Sequence, residues 1–326
     1  MTLLSRRSVL AAAAAGAAGL TTGALSAFSA FAAAPQASTQ WPSAYRYKVG
    51  DIEVTAISDG ARTMPLSDTF VRNEPRDKVN EALRAAYLPE NQVTIPFTVL
   101  LVNTGSKLYL IDSGNGPAQG TVGLLGGTLT ALGIDPKSID AVVISHFHGD
   151  HINGLLNAQG TPTYPNAQVL VPEAEWAFWM DDGQMGRAPD GLKGAFQNVR
   201  RVFTPFAGKV DKYGWDKEVM PGLTSVGTPG HTPGHTSFQL ASGNGRLFVQ
   251  SDVTNIPALF LRNPTWQVMF DMDGAKAQET RRKVYDMVSA ERMLVAGYHF
   301  PFPAALYVEK DGARFDSVPA AWSPVL

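Results

Sequence analysis

The sequence predicts an α/β protein built in layers, on three observations. Strand-like apolar runs occur in both halves of the 326-residue chain, with helical spacing between and after them. Many neighbouring strands are joined by turns of hairpin length, which argues against a doubly wound parallel sheet. A composition of 44% hydrophobic and 17% charged residues supplies enough apolar mass for a large core.

The elements follow in order. "PQASTQWPSA" reads as an extended lead-in. "YRYKVGDIEVTAISDG" reads as two strands around a Gly-Asp turn, with "IEVTAI" alternating at period two. Residues 75–88 carry Val79, Leu83 and Tyr87 at helical spacing behind Pro75. "TIPFTVLLVNTG" and "KLYLIDSG" form a hairpin about Thr104-Gly105-Ser106, and a Gly-rich loop leads to a helix near Leu124–Leu132. "DAVVIS" is a short apolar strand that stops at His146. The second half repeats this logic: strand "AQVLVP", a helix opened by "PEAEWAFWM", then strand, loop, strand, tight turn and strand between Gly222 and Asp252. "GAKAQETRRKVYDMVSAE" is the best helix, followed by "RMLVAGYHF".

Residues 1–34 stand apart from this pattern. Arg6 and Arg7 precede an Ala-rich apolar run, and "AFAAAPQA" offers small residues for cleavage near Ala34. Ser5-Arg6-Arg7 followed by Val9-Leu10 is similar to a twin-arginine export signal. The expectation is an exported, periplasmic or secreted protein whose mature domain spans residues 35–326. No stable membrane anchor is expected after processing, because the run is short and only mildly apolar.

Composition narrows the partners. The formal charge is −2 with no block of lysine or arginine, which argues against nucleic acid. Cysteine is absent, so no disulfide forms and any metal must be held by nitrogen and oxygen. The apolar stretch "NIPALFLRNPTW" is expected either to face a second copy of the chain in a homodimer or to cover the site.

Half of the six histidines fall in "SHFHGDH". On an extended segment residues two apart point the same way, so His146 and His148 reach one ion together. Gly149 lets the backbone turn, which sends Asp150 and His151 toward a second ion or completes the first. Neutral imidazole and carboxylate suit zinc and similar divalent ions.

This H-x-H-x-D-H run after a core strand resembles the metallo-β-lactamase superfamily. "LIDSG", "TPGHTPGH", "LFVQSD" and "AGYHF" match further family motifs in the same order. The resemblance implies a four-layer αβ/βα sandwich with two divalent metal ions, zinc by default, at one edge. His146, His148 and His235 would hold one ion. Asp150, His151 and His299 would hold the other, and Asp252 would bridge them. Asp112 would steady an imidazole or a loop from behind, and His231 would stand beside the ligands. A hydroxide shared by the ions would attack an ester-like bond, with Asp150 orienting it or taking its proton.

Stretches such as "LVNTGSK", "GHTPGHTSF" and "HFPFPAALYVEKDGARFDSVPAAWS" resemble more narrowly the methyl parathion hydrolase branch. That branch implies a small uncharged substrate: an organophosphate triester, a lactone or an aryl ester. Trp179 and Phe270 are the candidate pocket residues. The loop "GNGPAQGTVGLLGG" departs from the branch in lacking an aromatic residue. Two alternatives stand beside this expectation, a quorum-quenching acyl-homoserine lactonase and a metal-binding member without catalysis.

Overall fold

The computed structural model describes Gln36, Gln40, Trp41 and residues 43–326; the expected export leader, residues 1–34, lies outside the described residues. Two seven-stranded sheets form the centre. The first runs in chain order through β1 (Ala44–Val49), β2 (Ile52–Pro65), β3 (Gln92–Asn103), β4 (Leu108–Ile111), β5 (Ala141–Val143), β6 (Gln168–Pro172) and β7 (Val210–Tyr213). The second contains β8 (Glu218–Met220), β9 (Leu223–Gly227), β10 (Thr236–Ser242), β11 (Gly245–Ser251), β12 (Leu294–Gly297), β13 (Ala305–Asp311) and β14 (Arg314–Pro319), again neighbour to neighbour. Both sheets begin as antiparallel meanders. The first turns parallel from β4 to β7, and the second holds one parallel pair, β11 with β12.

The eight helices among the described residues are α1 (Arg76–Ala85), α2 (Leu125–Ala131), α3 (Gly149–Ile152), α4 (Glu173–Trp179), α5 (Asp182–Arg187), α6 (Asp190–Phe203), α7 (Pro257–Phe260) and α8 (Gly274–Ala290). Three apolar layers account for the stacking. Val54, Leu100 and Tyr109 of the first sheet pack between the sheets with Leu223, Phe238 and Leu247 of the second. Val79, Leu83, Phe196 and Val199 cover the first sheet's outer face from α1 and α6. Val284, Tyr285 and Val288 of α8 cover the second sheet. The result is the expected four-layer αβ/βα sandwich, because the central strands bury both faces while the longer helices α1, α6 and α8 each bury one stripe.

Two stretches differ from the sequence reading. The fourteen-residue α6 has no counterpart among the expected elements: Gly191 and Gly194 dilute its first turns, while its last two turns bury Phe196, Val199, Val202 and Phe203. The β13–β14 hairpin was not predicted. Asp311 pairs with Arg314 across a two-residue turn at Gly312, whose φ is 60°. An Asp-Gly pair between alternating residues is the signal that would have found it.

The stretch "NIPALFLRNPTW" is not an exposed face. Ile256, Leu259, Phe260, Leu261 and Trp266 are all buried within the chain, so these side chains are not available to a second copy. No helix among the described residues is long and apolar enough to cross a membrane.

Candidate metal centre

The candidate site forms where strands of both sheets end at one edge. Asp112 follows β4, His146 to His151 follow β5, Asp252 follows β11, and His299 follows β12. Asp112 and Ser251 sit in the left-handed region at φ of 64° and 51°. For a non-glycine residue that conformation costs on the order of 1 kcal/mol or more. It persists at Asp112 because the surroundings fix it: the backbone N–H donates to Val143 O at 2.8 Å, and the carboxylate accepts from Ser145 N at 2.7 Å and Ser145 Oγ at 2.8 Å.

His148 is extended, with φ −66° and ψ 152°, and caps the start of α3. That puts His146 and His148 on one side, with His146 Nε2 3.2 Å from His148 Nδ1. Gly149 then starts the helical turn that carries Asp150 and His151 to the other side. A Cβ there would press within 3.0 Å of Asn153 Nδ2.

The side chains fall into two groups, each with ligand atoms within 4.8 Å of one another: His146, His148, His231 and Asp252; and Asp150, His151, Asp252 and His299. Asp252 belongs to both. Its Oδ2 lies 3.2 Å from His231 Nε2 and 2.9 Å from His299 Nε2, and its Oδ1 lies 3.3 Å from His151 Nε2. Asp150 Oδ2 is 3.3 Å from His151 Nε2 and 3.7 Å from His299 Nε2. The first sheet gives two members to each group and the second sheet supplies the rest.

One expectation is corrected here. His235, not His231, was expected among the ligands. In the structure His235 Nδ1 lies 3.0 Å from Thr228 O, and its Nε2 accepts the Asp252 backbone N–H at 3.0 Å. Both ring nitrogens are therefore committed to the protein. His231 instead turns Nε2 to within 2.9 Å of His148 Nδ1 and gives Nδ1 to Asp271 Oδ1 at 2.9 Å. The two histidines lie in identical TPGH tetrapeptides, so no local signal separates them.

The remaining ring nitrogens have partners that set the tautomers. His151 Nδ1 donates to Asp112 Oδ2 at 2.8 Å, and His299 Nδ1 donates to Pro96 O at 2.9 Å. Ser145 Oγ gives its hydrogen to Asp112 and accepts from His146 Nδ1 at 3.0 Å. Asp112 thus steadies two imidazoles and the loop between them. These bonds leave the Nε2 lone pairs of His146, His151 and His299 facing inward.

Divalent ions fit this arrangement. His151 Nε2 and Asp252 Oδ1 are buried and have no hydrogen-bond partner in the protein, although they face one another. Two buried acceptors repel unless a cation lies between them. In the metal-free chain protons fill that role. Burial lowers the basicity of His151, yet Asp252, Asp150 and Asp112 outweigh it and hold the imidazole well above the usual range. The same contest, with bonds to Asp252 and Asp271, pushes His231 up to about 9. Burial wins at His148, which falls to about 3. Asp150 resists its burial through His151 and His299 and falls to about 2, so it is ionised at neutral pH.

Residues unmarked in the sequence reading complete the site. Asp271 couples His231 to Arg281, a buried guanidinium that also donates to Val253 O at 2.9 Å and Trp266 O at 2.6 Å. Asp59 is fully buried and accepts from Asn115 N at 2.7 Å and Leu125 N at 2.8 Å, which pins the loop after Asp112. Tyr298 lays its ring against His151 at 3.9 Å and donates its hydroxyl to Asp150 O.

A cavity of about 890 Å³ opens over the cluster, with His148, Asp150, His231, Asp252 and His299 in its floor. Ile95, Phe97, Leu192, Met269 and Phe270 form apolar walls, and Asn115 and Arg62 add polar groups. Phe270, one of the two expected pocket residues, lines this cavity. Trp179 does not: it is fully buried, packs on Phe196 at 4.7 Å, and donates Nε1 to Glu175 Oε2 at 2.7 Å. Glu175, four residues earlier, is the other buried residue of α4, and the face the two share points into the core rather than the cavity.

Comparison with known proteins agrees with this geometry. Residues 94–299 match the metallo-beta-lactamase superfamily, well over half of the chain. Among curated proteins, N-acyl homoserine lactonase AttM of Agrobacterium fabrum is 32% identical over 126 residues, 36% of this chain and 42% of that protein. An N-acyl homoserine lactonase of Bacillus thuringiensis is 23% identical over 198 residues, 54% of this chain and 71% of that protein. The chain thus spans less than half the length of the AttM relatives it matches. Among solved structures, AidC, a dizinc quorum-quenching lactonase in complex with a product, superposes with a TM-score of 0.82 at 23% identity, covering 86% of this chain and 99% of that one. The hydrolase AbOPH superposes with a TM-score of 0.81 at 27% identity, covering 87% and 100%. With its motifs, its sandwich and its paired histidine and aspartate groups in agreement, the chain belongs to the metallo-β-lactamase superfamily.

Proposed function

We propose that this chain is a metal-dependent hydrolase with two divalent ions, zinc by default, acting on small ester-like bonds, and that N-acyl homoserine lactones are its preferred class. The observation that carries this reading is Asp252, shared by two ligand groups at the floor of an apolar cavity. Ions bound there supply polarisation of a carbonyl or phosphoryl oxygen and a nucleophilic water at neutral pH.

The protein's own residues do the rest. His146, His148 and His231 hold one position, Asp150, His151 and His299 the other, and Asp252 joins them. Asp150 is ionised and lies at the cavity floor, where it would orient the attacking water or take up its proton. Phe97, Phe270, Met269 and Leu192 offer an apolar surface to an acyl or aryl group. No serine or cysteine nucleophile is required.

Lactones lead because several of the similar curated proteins and AidC are named as lactonases. The likeness to the methyl parathion hydrolase branch supports phosphotriesters as a second class. We further propose export of the mature domain, supported by Arg6-Arg7 and the small-residue run before Pro35. The deciding experiment is turnover of lactones, aryl esters and phosphotriesters by the metal-loaded protein, with and without chelator. Chelator-sensitive lactone turnover above the other two supports the reading. Two bound ions with no turnover of any class would place the chain among binding members without catalysis.

A further inference from the structure

Glu175 lies in α4, outside the cavity and outside both ligand groups, and is fully buried. A carboxylate in such a place is costly unless several donors meet it. Three do, and two of them are the backbones of the ligand loops. Oε2 accepts Phe147 N–H at 3.0 Å, and Phe147 stands between His146 and His148. Oε1 accepts Gly234 N–H at 2.6 Å, and Gly234 stands between His231 and His235. Trp179 Nε1 completes the set at 2.7 Å.

The packing on the Gly234 side allows no substitute. A Cβ at Gly234 would come within 2.3 Å of the Glu175 backbone nitrogen, so that loop is pressed directly on the start of α4. The two loops come from different sheets, and β5 and β10 do not pair. Beside the Thr236 N–H bond to Ser145 O at 3.1 Å and the contact of His148 Nδ1 with His231 Nε2 at 2.9 Å, the Glu175 carboxylate is a further hydrogen-bonded tie, and it reaches the backbone of both loops.

We propose that Glu175 is a positioning residue that buckles the His146–His148 loop to the His231–His235 loop and so fixes the spacing of the first metal group. The inference rests on the reading of these histidines as ligands. It touches no metal itself; it acts through two backbone amides.

Zinc affinity of the metal-free chain, measured by chelator competition well below the unfolding temperature, tests this. Glu175→Gln keeps the volume but turns an amide NH₂ toward one of the N–H donors. It should weaken the first ion about 10- to 100-fold, the range for residues that orient ligands, and shift the visible absorption of the cobalt-substituted protein. Trp179→Phe removes only the tie that reaches neither loop. It should lower the unfolding temperature while zinc affinity stays within about threefold. Unchanged zinc affinity in Glu175→Gln, with a lower unfolding temperature alone, overturns the inference and leaves the ligand reading intact. A wild-type chain that binds no zinc overturns both. Amide hydrogen exchange on the wild type needs no variant: Phe147 and Gly234 should be protected to the same degree without metal, and fast exchange at either refutes the buckle.

Discussion

Replacing His231 or His235 with alanine separates two rings that the sequence presents identically. His231 Nε2 faces His148 and Asp252, so its loss leaves the first group with three members. Four-ligand zinc sites are worth about 10–16 kcal/mol, or about 3 kcal/mol per ligand. Loss of one ligand therefore weakens the first ion roughly 100-fold. Asp271 also loses its imidazole partner and keeps Arg281, a smaller cost of about 1–3 kcal/mol in stability. His235 is different. Its loss removes an acceptor from the Asp252 backbone N–H and opens a void beside Thr228. The expected result is a stability loss of about 2–3 kcal/mol with both ions retained at a weaker affinity, down by roughly tenfold. Metal content by elemental analysis after dialysis, with chelator competition and thermal unfolding, reads both effects. If His231→Ala keeps two ions at wild-type affinity while His235→Ala drops to one, the assignment from ring-nitrogen partners is wrong.

Three further outcomes follow from the same geometry. Asp252→Ala removes the member common to both groups, so both ions should weaken together and turnover should fall to near background, read by metal titration and initial rates. Phe270→Ala shortens one cavity wall without touching a ligand; metal content should hold while KM for an apolar-tailed lactone rises roughly tenfold, from about 1–2 kcal/mol of lost burial. Metal uptake should release protons, because His231 is pushed up to about 9 in the metal-free chain and must be neutral to ligate. The sign is fixed: apparent zinc affinity rises with pH through neutrality toward 9 and falls below it, and calorimetry in buffers of different ionisation enthalpy counts the protons released.

Much of this was legible in the sequence, because the informative signals are local. The H-x-H-x-D-H run sits directly after an apolar strand, and Asp112, Asp252 and His299 each follow strand-like residues. Layering also showed through, since period-two runs and the stripe on α8 mark opposite sides of a core. What stayed hidden depends on distant partners. His231 differs from His235 through Asp271, forty residues on, and through the Asp252 amide. Trp179 looked like a pocket residue until Glu175 gave its indole nitrogen a buried acceptor. Arg281 and Asp59 carry no pattern at all: a charged residue in a helix or after a strand reads as surface until tertiary packing encloses it.

The even division of each metal group between the two sheets constrains how the protein comes to life. Neither sheet by itself supplies all four members of a group, so a complete group exists only where the two sheets have docked. An ion bound there would act as a rivet across the seam.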